Sequence, residues 1–138
     1  MTVAMGLEMN TQQREELFRE WRESLRDTAK RPNVVCKIGG LGMPIWGFGF
    51  DERKDAVGYK ELAKAWRPFV ESAIELFGTN RCMMESNFPP DGRSCGYVPT
   101  WNALKHIVAA SSDNEKADLF HRTAARVYRI DLSSIETP

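Results

Sequence analysis

The chain has 138 residues, and its 19 Lys and Arg balance its 19 Asp and Glu. That length allows one domain with a real core, but it is short of a closed eight-stranded α/β barrel, which takes about 250 residues. Equal, interleaved charges argue against a nucleic-acid partner. The start, Met1 to Gly6, has no basic or long apolar region and no run reaches membrane-spanning length, so the expectation is a soluble cytoplasmic protein that does not engage a membrane.

In chain order, residues 1–10 are expected to be disordered, and the first periodic segment runs from Thr11 to Ala29. Leu17, Phe18, Trp21 and Leu25 recur there at helical spacing among Glu and Arg, which predicts an amphipathic helix ended by Arg31-Pro32. Asn33 to Ile38 reads as a short β-branched strand. A glycine- and aromatic-rich loop follows to about Gly58. Trp46, Phe48 and Phe50 in that loop either cover a substrate or cap the core beneath them.

Tyr59 to Phe77 is helical again, with Leu62, Ala63, Trp66, Val70, Ala73, Ile74 and Phe77 on one face. Pro68 is expected to kink it or to start a second helix. After Gly78, Arg81 to Glu85 reads as the next strand, so strand, helix and strand form a βαβ unit with parallel strands. Pro99 fits the first turn of a helix carrying Trp101, Leu104, Ile107 and Val108. Ser112 with Glu115 makes a capping box for a last helix through Tyr128. The predicted order is αβαβαα, in one domain spanning residues 1–138. Two parallel strands alone leave unpaired edges, so self-association or a complementary chain is expected.

The stretch Arg81 to Asp91 draws most attention, because a strand runs there into a polar cluster closed by prolines. Ligands in α/β proteins bind at the carboxyl ends of parallel strands. Glu85 lies two residues before Asn87, and strand alternation would point both side chains the same way. A buried Glu85 beside an amide would serve as acid or base. The alternative is an ion pair with Lys37 on the neighbouring strand. Lys37 could equally hold a substrate carboxylate. Asp91 is a third candidate for acid–base chemistry, although a Pro-Pro-Asp-Gly turn uses aspartate for turn hydrogen bonds alone. Phe88, Arg93 and Tyr97 are candidates for substrate contact, Arg93 and Tyr97 toward an anionic group; solvated loop residues look the same from sequence.

Cys36, Cys82 and Cys95 lack metal or redox spacing and read as reduced thiols. His106 and His121 fall on helices without a second ligand at zinc-site spacing. Gly39-Gly-Leu-Gly42 follows a strand, yet matches neither nucleotide fingerprint and is a weak phosphate signal.

Four segments together carry a family resemblance: Pro32 to Gly42, Phe77 to Pro89, Trp101 to Ile107 and Thr123 to Arg129. Over about Glu15 to Leu132 the chain resembles the C-terminal part of amidohydrolase-related, metal-dependent-hydrolase-like TIM barrels. The branch includes pyrone-dicarboxylate lactonase and fuconolactonase-like proteins. The resemblance implies a partial TIM (β/α)8 barrel, in which Asn33 to Ile38 is strand seven and Arg81 to Glu85 leads into strand eight. It implies a hydrolase using an activated water on a lactone, amide or related carbonyl substrate. The cofactor stays open: a divalent metal such as zinc occurs in the family, but its His-x-His pair and later histidines have no counterpart here. Where the family reads Gly-Ser-Asp-Trp-Pro, this chain reads Glu85-Ser-Asn-Phe-Pro89. Asn87 therefore takes the place of an aspartate that acts as base or metal ligand, and an amide does not ionise. The alternative function is a non-catalytic, truncated barrel that persists as an interaction or assembly module.

Overall fold

The computed structural model describes residues 10–133. Helix α1 spans Thr11–Ala29, as its periodicity predicts, and Asn10 begins it. The Asn10 side chain accepts from the Gln13 amide while Gln13 returns a bond to the Asn10 N–H, so two open donors of the first turn are satisfied. Asn10 is thus an ordered helix cap rather than part of a disordered start; residues 1–9 lie outside the described residues.

Strand β1 is only Cys36–Ile38 and β2 only Cys82–Met84. Both are shorter than predicted, for local reasons. Pro32 and Asn33 are spent on a turn in which the Val34 N–H reaches the Arg31 carbonyl at 3.2 Å. Arg81 ends a 3-10 turn, Thr79–Arg81. The strands pair in parallel, with Cys36 opposite Cys82, Lys37 opposite Met83 and Ile38 opposite Met84. One further bond, Glu85 N–H to the Ile38 carbonyl at 3.0 Å, carries the pairing a step past β2.

The crossover helix α2, Tyr59–Phe77, runs unbroken through Pro68. The second helix that the proline was expected to start therefore does not form. Leu62, Ala63, Trp66, Phe69, Val70 and Ala73 are buried on both sides of it, and that packing holds the helix across the missing hydrogen bond. Ile38, Cys82 and Met84 join this core, and the Cys82 thiol donates to the Ala73 carbonyl of α2 at 3.5 Å. By the two-residue period of a strand, Lys37 and Met83 occupy the opposite face.

The loop after β1 is not structureless. It contains two 3-10 turns, Pro44–Trp46 and Phe50–Glu52. Its aromatics cap the core: Trp46 and Phe48 meet the Phe69 ring at 5.2 and 6.0 Å, beside Phe18 and Trp21 of α1. The Trp46 indole N–H donates to the Gly40 carbonyl at 2.8 Å, which ties the loop back to the strand end.

Helix α3 spans Tyr97–Ile107 with Pro99 in its first turn, and it packs along α2. The predicted Ser112–Glu115 capping box opens α4, Asp113–Ala117. The helical run then passes through a π turn, Asp118–Arg122, into α5, Thr123–Tyr128. At the amino end of β2 the Arg81 guanidinium donates to the carbonyls of Phe77, Arg31 and Ala29 at 3.0, 3.0 and 3.1 Å. One side chain therefore satisfies carbonyls left open where α1 and α2 finish. No helix among the described residues is long and apolar enough to cross a membrane.

Leu62 is fully buried in the first turn of α2. Leu62→Ala should destabilise the fold by about 2–5 kcal/mol in chemical denaturation, the usual range for a buried leucine truncated to alanine. A loss below about 1 kcal/mol would mean that the α2 face is not the core.

Candidate functional site

Because the strands are parallel, the segments that follow them leave the sheet at the same end. Gly39 to Gly42 from β1 and Glu85 to Asp91 from β2 meet there. A side chain on Gly39 would place its Cβ 2.1 Å from Glu85 Cγ and 2.9 Å from the Glu85 carbonyl oxygen. One on Gly42 would stand 2.9 Å from Asp91 Cγ and 3.1 Å from Cys95 Sγ. Gly40, at φ +74°, faces the Asn87 amide. The glycines thus form a bed on which Glu85, Asn87 and Asp91 lie. Sequence reading treated them as a weak phosphate signal; what marks them is that their clearance matches the polar residues across the ladder.

Lys37 and Glu85 form an ion pair, Nζ to Oε2 2.5 Å, with side chains 51% and 30% exposed. The expectation of a buried Glu85 is not met. Lys37 sits beside it, and the carboxylate holds the Lys37 ammonium above its ordinary pKa. An exposed pair of this kind contributes at most about 1 kcal/mol.

Asn87 does not continue the strand, so the two-residue period does not carry from Glu85 to it. Its φ of +49° puts it in the left-handed region, which asparagine tolerates better than most residues. There its Nδ2 donates to Asp91 Oδ1 at 2.7 Å. The Gly42 N–H donates to the other oxygen, Oδ2, at 3.3 Å.

Asp91 is therefore more than a turn residue. It is 1% exposed, and its carboxylate joins the loop after β1 to the loop after β2. Its backbone carbonyl accepts from the N–H groups of Ser94 and Cys95 at 3.0 and 3.1 Å. The Cys95 thiol lies 3.3 Å from Thr100 Oγ1, and the Thr100 hydroxyl donates to the Gly96 carbonyl at 2.9 Å. Sequence reading took Cys95 only as a reduced thiol and did not single out Thr100.

The outer wall of the cluster is aromatic. The Phe88 ring meets Tyr97 edge-on at 5.2 Å, and Tyr97, 53% exposed, meets Trp101 at 6.2 Å. Arg93 is exposed and makes no ion pair among the described residues. His106 is exposed on α3 against the Tyr59 ring, and His121 is exposed in the π turn, so neither joins the cluster. Cys36 and Cys82 face each other across the ladder as free thiols.

The residues here do not fit a zinc ion. Both Asp91 oxygens are engaged and Glu85 is held by Lys37. Among the described residues no three His, Cys, Asp or Glu side chains converge.

Burial pushes the Asp91 carboxyl above its ordinary pKa, against the opposing bonds from Asn87 and Gly42, and the Glu85 charge adds to the rise. A raised carboxyl favours folding most in its protonated form. That contribution is full below the usual carboxylate range and is lost as pH rises through the elevated pKa. The melting temperature of the native chain relative to Asp91→Asn should accordingly fall between about pH 3 and pH 7. A relative stability that climbs over that range would contradict this account of the site.

A family model described as amidohydrolase matches residues 9–130. The chain is 40% identical over 113 residues to an uncharacterized protein, y4mH, of Sinorhizobium fredii, covering 82% of this chain and 34% of that protein. It is 28% identical over 116 residues to the L-fucono-1,5-lactonase of Burkholderia multivorans, covering 80% and 35%. Crystal structures of a Burkholderia multivorans amidohydrolase, one with bound HEPES and one with bound zinc, superpose with TM-scores of 0.72 and 0.71. Both are 24% identical and match 85% of this chain and 39% of theirs, a likeness of fold. The chain thus spans about a third of the length of the curated relatives it matches. A match over nearly all the described residues, joined to a parallel pair whose ends gather a polar cluster, shows that the chain belongs to the amidohydrolase family.

Proposed function

We propose that this chain supplies the last two βα units of an amidohydrolase-like (β/α)8 barrel that cleaves a lactone, amide or related carbonyl compound with an activated water. The observation that carries the reading is the meeting of Lys37, Glu85, Asn87 and Asp91 over glycines at the carboxyl ends of two parallel strands. The length of the relatives supports it, since each is about three times as long as the part matched here. An apolar cleft between α1 and β1, lined by Trp21, Leu25, Cys36, Ile38 and Trp46, gives a neighbouring strand or chain something to cover. Either a complementary barrel chain or copies of this chain cover the unpaired edges. The name of the L-fucono-1,5-lactonase relative supports a small carbonyl compound as substrate, and the balanced charge speaks against a nucleic acid.

In this reading Lys37 and Glu85 act as an exchangeable pair. A substrate carboxylate that engages Lys37 releases Glu85, and the freed carboxylate takes the proton of the attacking water. Asn87, where the family carries aspartate, supplies a hydrogen bond without a charge. Phe88, Tyr97 and Arg93 form the entrance, two rings for the body of the substrate and a cation for an anionic group. Asp91 stays buried behind them.

The second reading, a non-catalytic assembly module, is favoured by the amide at 87 and by Lys37 already occupying Glu85. The two readings part when the chain is combined with the upstream strands of a relative and assayed on lactones. The hydrolase reading expects turnover, and expects Glu85→Gln to lower kcat at least about tenfold, the lower end for loss of a general base. Turnover unchanged by Glu85→Gln would remove Glu85 from the reaction. A well-formed assembly with no turnover would favour the module. For the chain by itself, sedimentation should show concentration-dependent association, and a monomer with a sharp cooperative melt would oppose the need for a partner.

A further inference from the structure

An amide at position 87 can serve a hydrolytic site in two opposite ways. Its oxygen can accept a hydrogen bond from a water, or its nitrogen can donate one to a substrate carbonyl. We infer that Asp91 is a positioning residue that decides between them: by taking the Asn87 Nδ2, it leaves Oδ1 as the end available to the site, so that Asn87 orients a water rather than holding a carbonyl. The functional half of this inference rests on the hydrolase reading above; the structural half does not.

Three features of the geometry support it. The Nδ2–Oδ1 contact of 2.7 Å is at the short end for N–H···O and suits a charged acceptor. The second Asp91 oxygen is occupied by the Gly42 N–H, so in the ionised carboxylate both oxygens act as acceptors and neither has a donor to offer the amide oxygen. The only nitrogen-to-oxygen assignment that satisfies this arrangement turns Nδ2 inward. The Asp91 carboxylate itself cannot swing away. It is 1% exposed, its main chain is held by Ser94 and Cys95, and Gly42 packs so closely that an added Cβ would stand 2.9 Å from Asp91 Cγ.

This arrangement also accounts for a carboxylate in a Pro-Pro-Asp-Gly turn being buried when a solvated one would make the turn equally well. Asp91 touches neither substrate nor nucleophile in this scheme. It acts through Asn87 alone, which separates it from the acid–base role that sequence reading offered for it.

The test has two arms. In the native chain labelled with nitrogen-15 at asparagine, the Asn87 side-chain amide, assigned by its loss in Asn87→Ala, should show one proton shifted downfield and protected from exchange with water. Asp91→Ala, which leaves no acceptor at that place, should return that proton to the position of a solvated amide. This arm needs no activity, and the native spectrum needs no variant to fold; an Asn87 amide that looks solvated in the native chain would overturn the inference. The second arm uses the assembly active on a lactone. Asp91→Ala should lower kcat by at least about tenfold with KM within about twofold, because an undirected amide costs orientation of the water and not substrate binding. A rise in KM with kcat unchanged would mean that Asn87 holds the substrate, and unchanged constants would mean that Asp91 positions nothing; either result overturns the inference. An assembly without turnover leaves the first arm decisive for Asp91 and counts against the hydrolase reading instead.

Discussion

The parallel pairing of two three-residue strands is the constraint from which the rest of this structure follows. Parallel strands cannot be joined by a tight turn, so a crossover is obligatory, and α2 fills it with an apolar face that becomes the core. Parallel strands also finish at the same edge. The segments after Ile38 and Met84 therefore emerge side by side and must share one space, and small residues on one side make room for carboxylates and an amide on the other. An antiparallel pair of the same sequences would send these segments to opposite ends and leave no cluster at all.

The two sheet faces divide the chemistry. Ile38, Cys82 and Met84 turn toward the helices and are closed off from water. The Lys37 and Glu85 charges stand on the other side, partly solvated. This is the polarity expected where one face meets an outer helical layer and the other meets an interior that binds ligands. The family match rests on sequence and this polarity on burial, so the two share no premise.

Much of the architecture was legible in the sequence, because helices announce themselves over many residues. Leu17, Phe18, Trp21 and Leu25, the Ser112–Glu115 box and the apolar face of α2 all repeat or pair within a single turn. The short strands were located to within two or three residues, their ends being set by a turn at Asn33 and by Arg81, which propensity does not weigh. Pro68 does not start a second helix because tertiary packing on both flanks outweighs a local breaker. Within the site, the Lys37–Glu85 pair was legible as one of two alternatives, since neighbouring strands bring opposite charges together. Asp91 and the glycine bed were not. Their meaning lies in contacts between segments 49 residues apart, which appear only once the strand register is known. Asn87 was noticed for its chemistry, but its left-handed backbone has no signal beyond the residue type itself.

Arg81 has a consequence for how such a chain can change. It gathers carbonyls from α1, α2 and the approach to β1 at the end of the strands away from the polar cluster. Thr123 and Arg126 of α5 add bonds to the Thr79 and Asn80 carbonyls at that same end. The frame is thus fastened at one pole, while the opposite pole is built from loops whose main cross-tie is a single carboxylate. Substitutions at the exposed positions of residues 41–58 and 88–96 can therefore reshape the polar pole without touching the bonds that fasten the other.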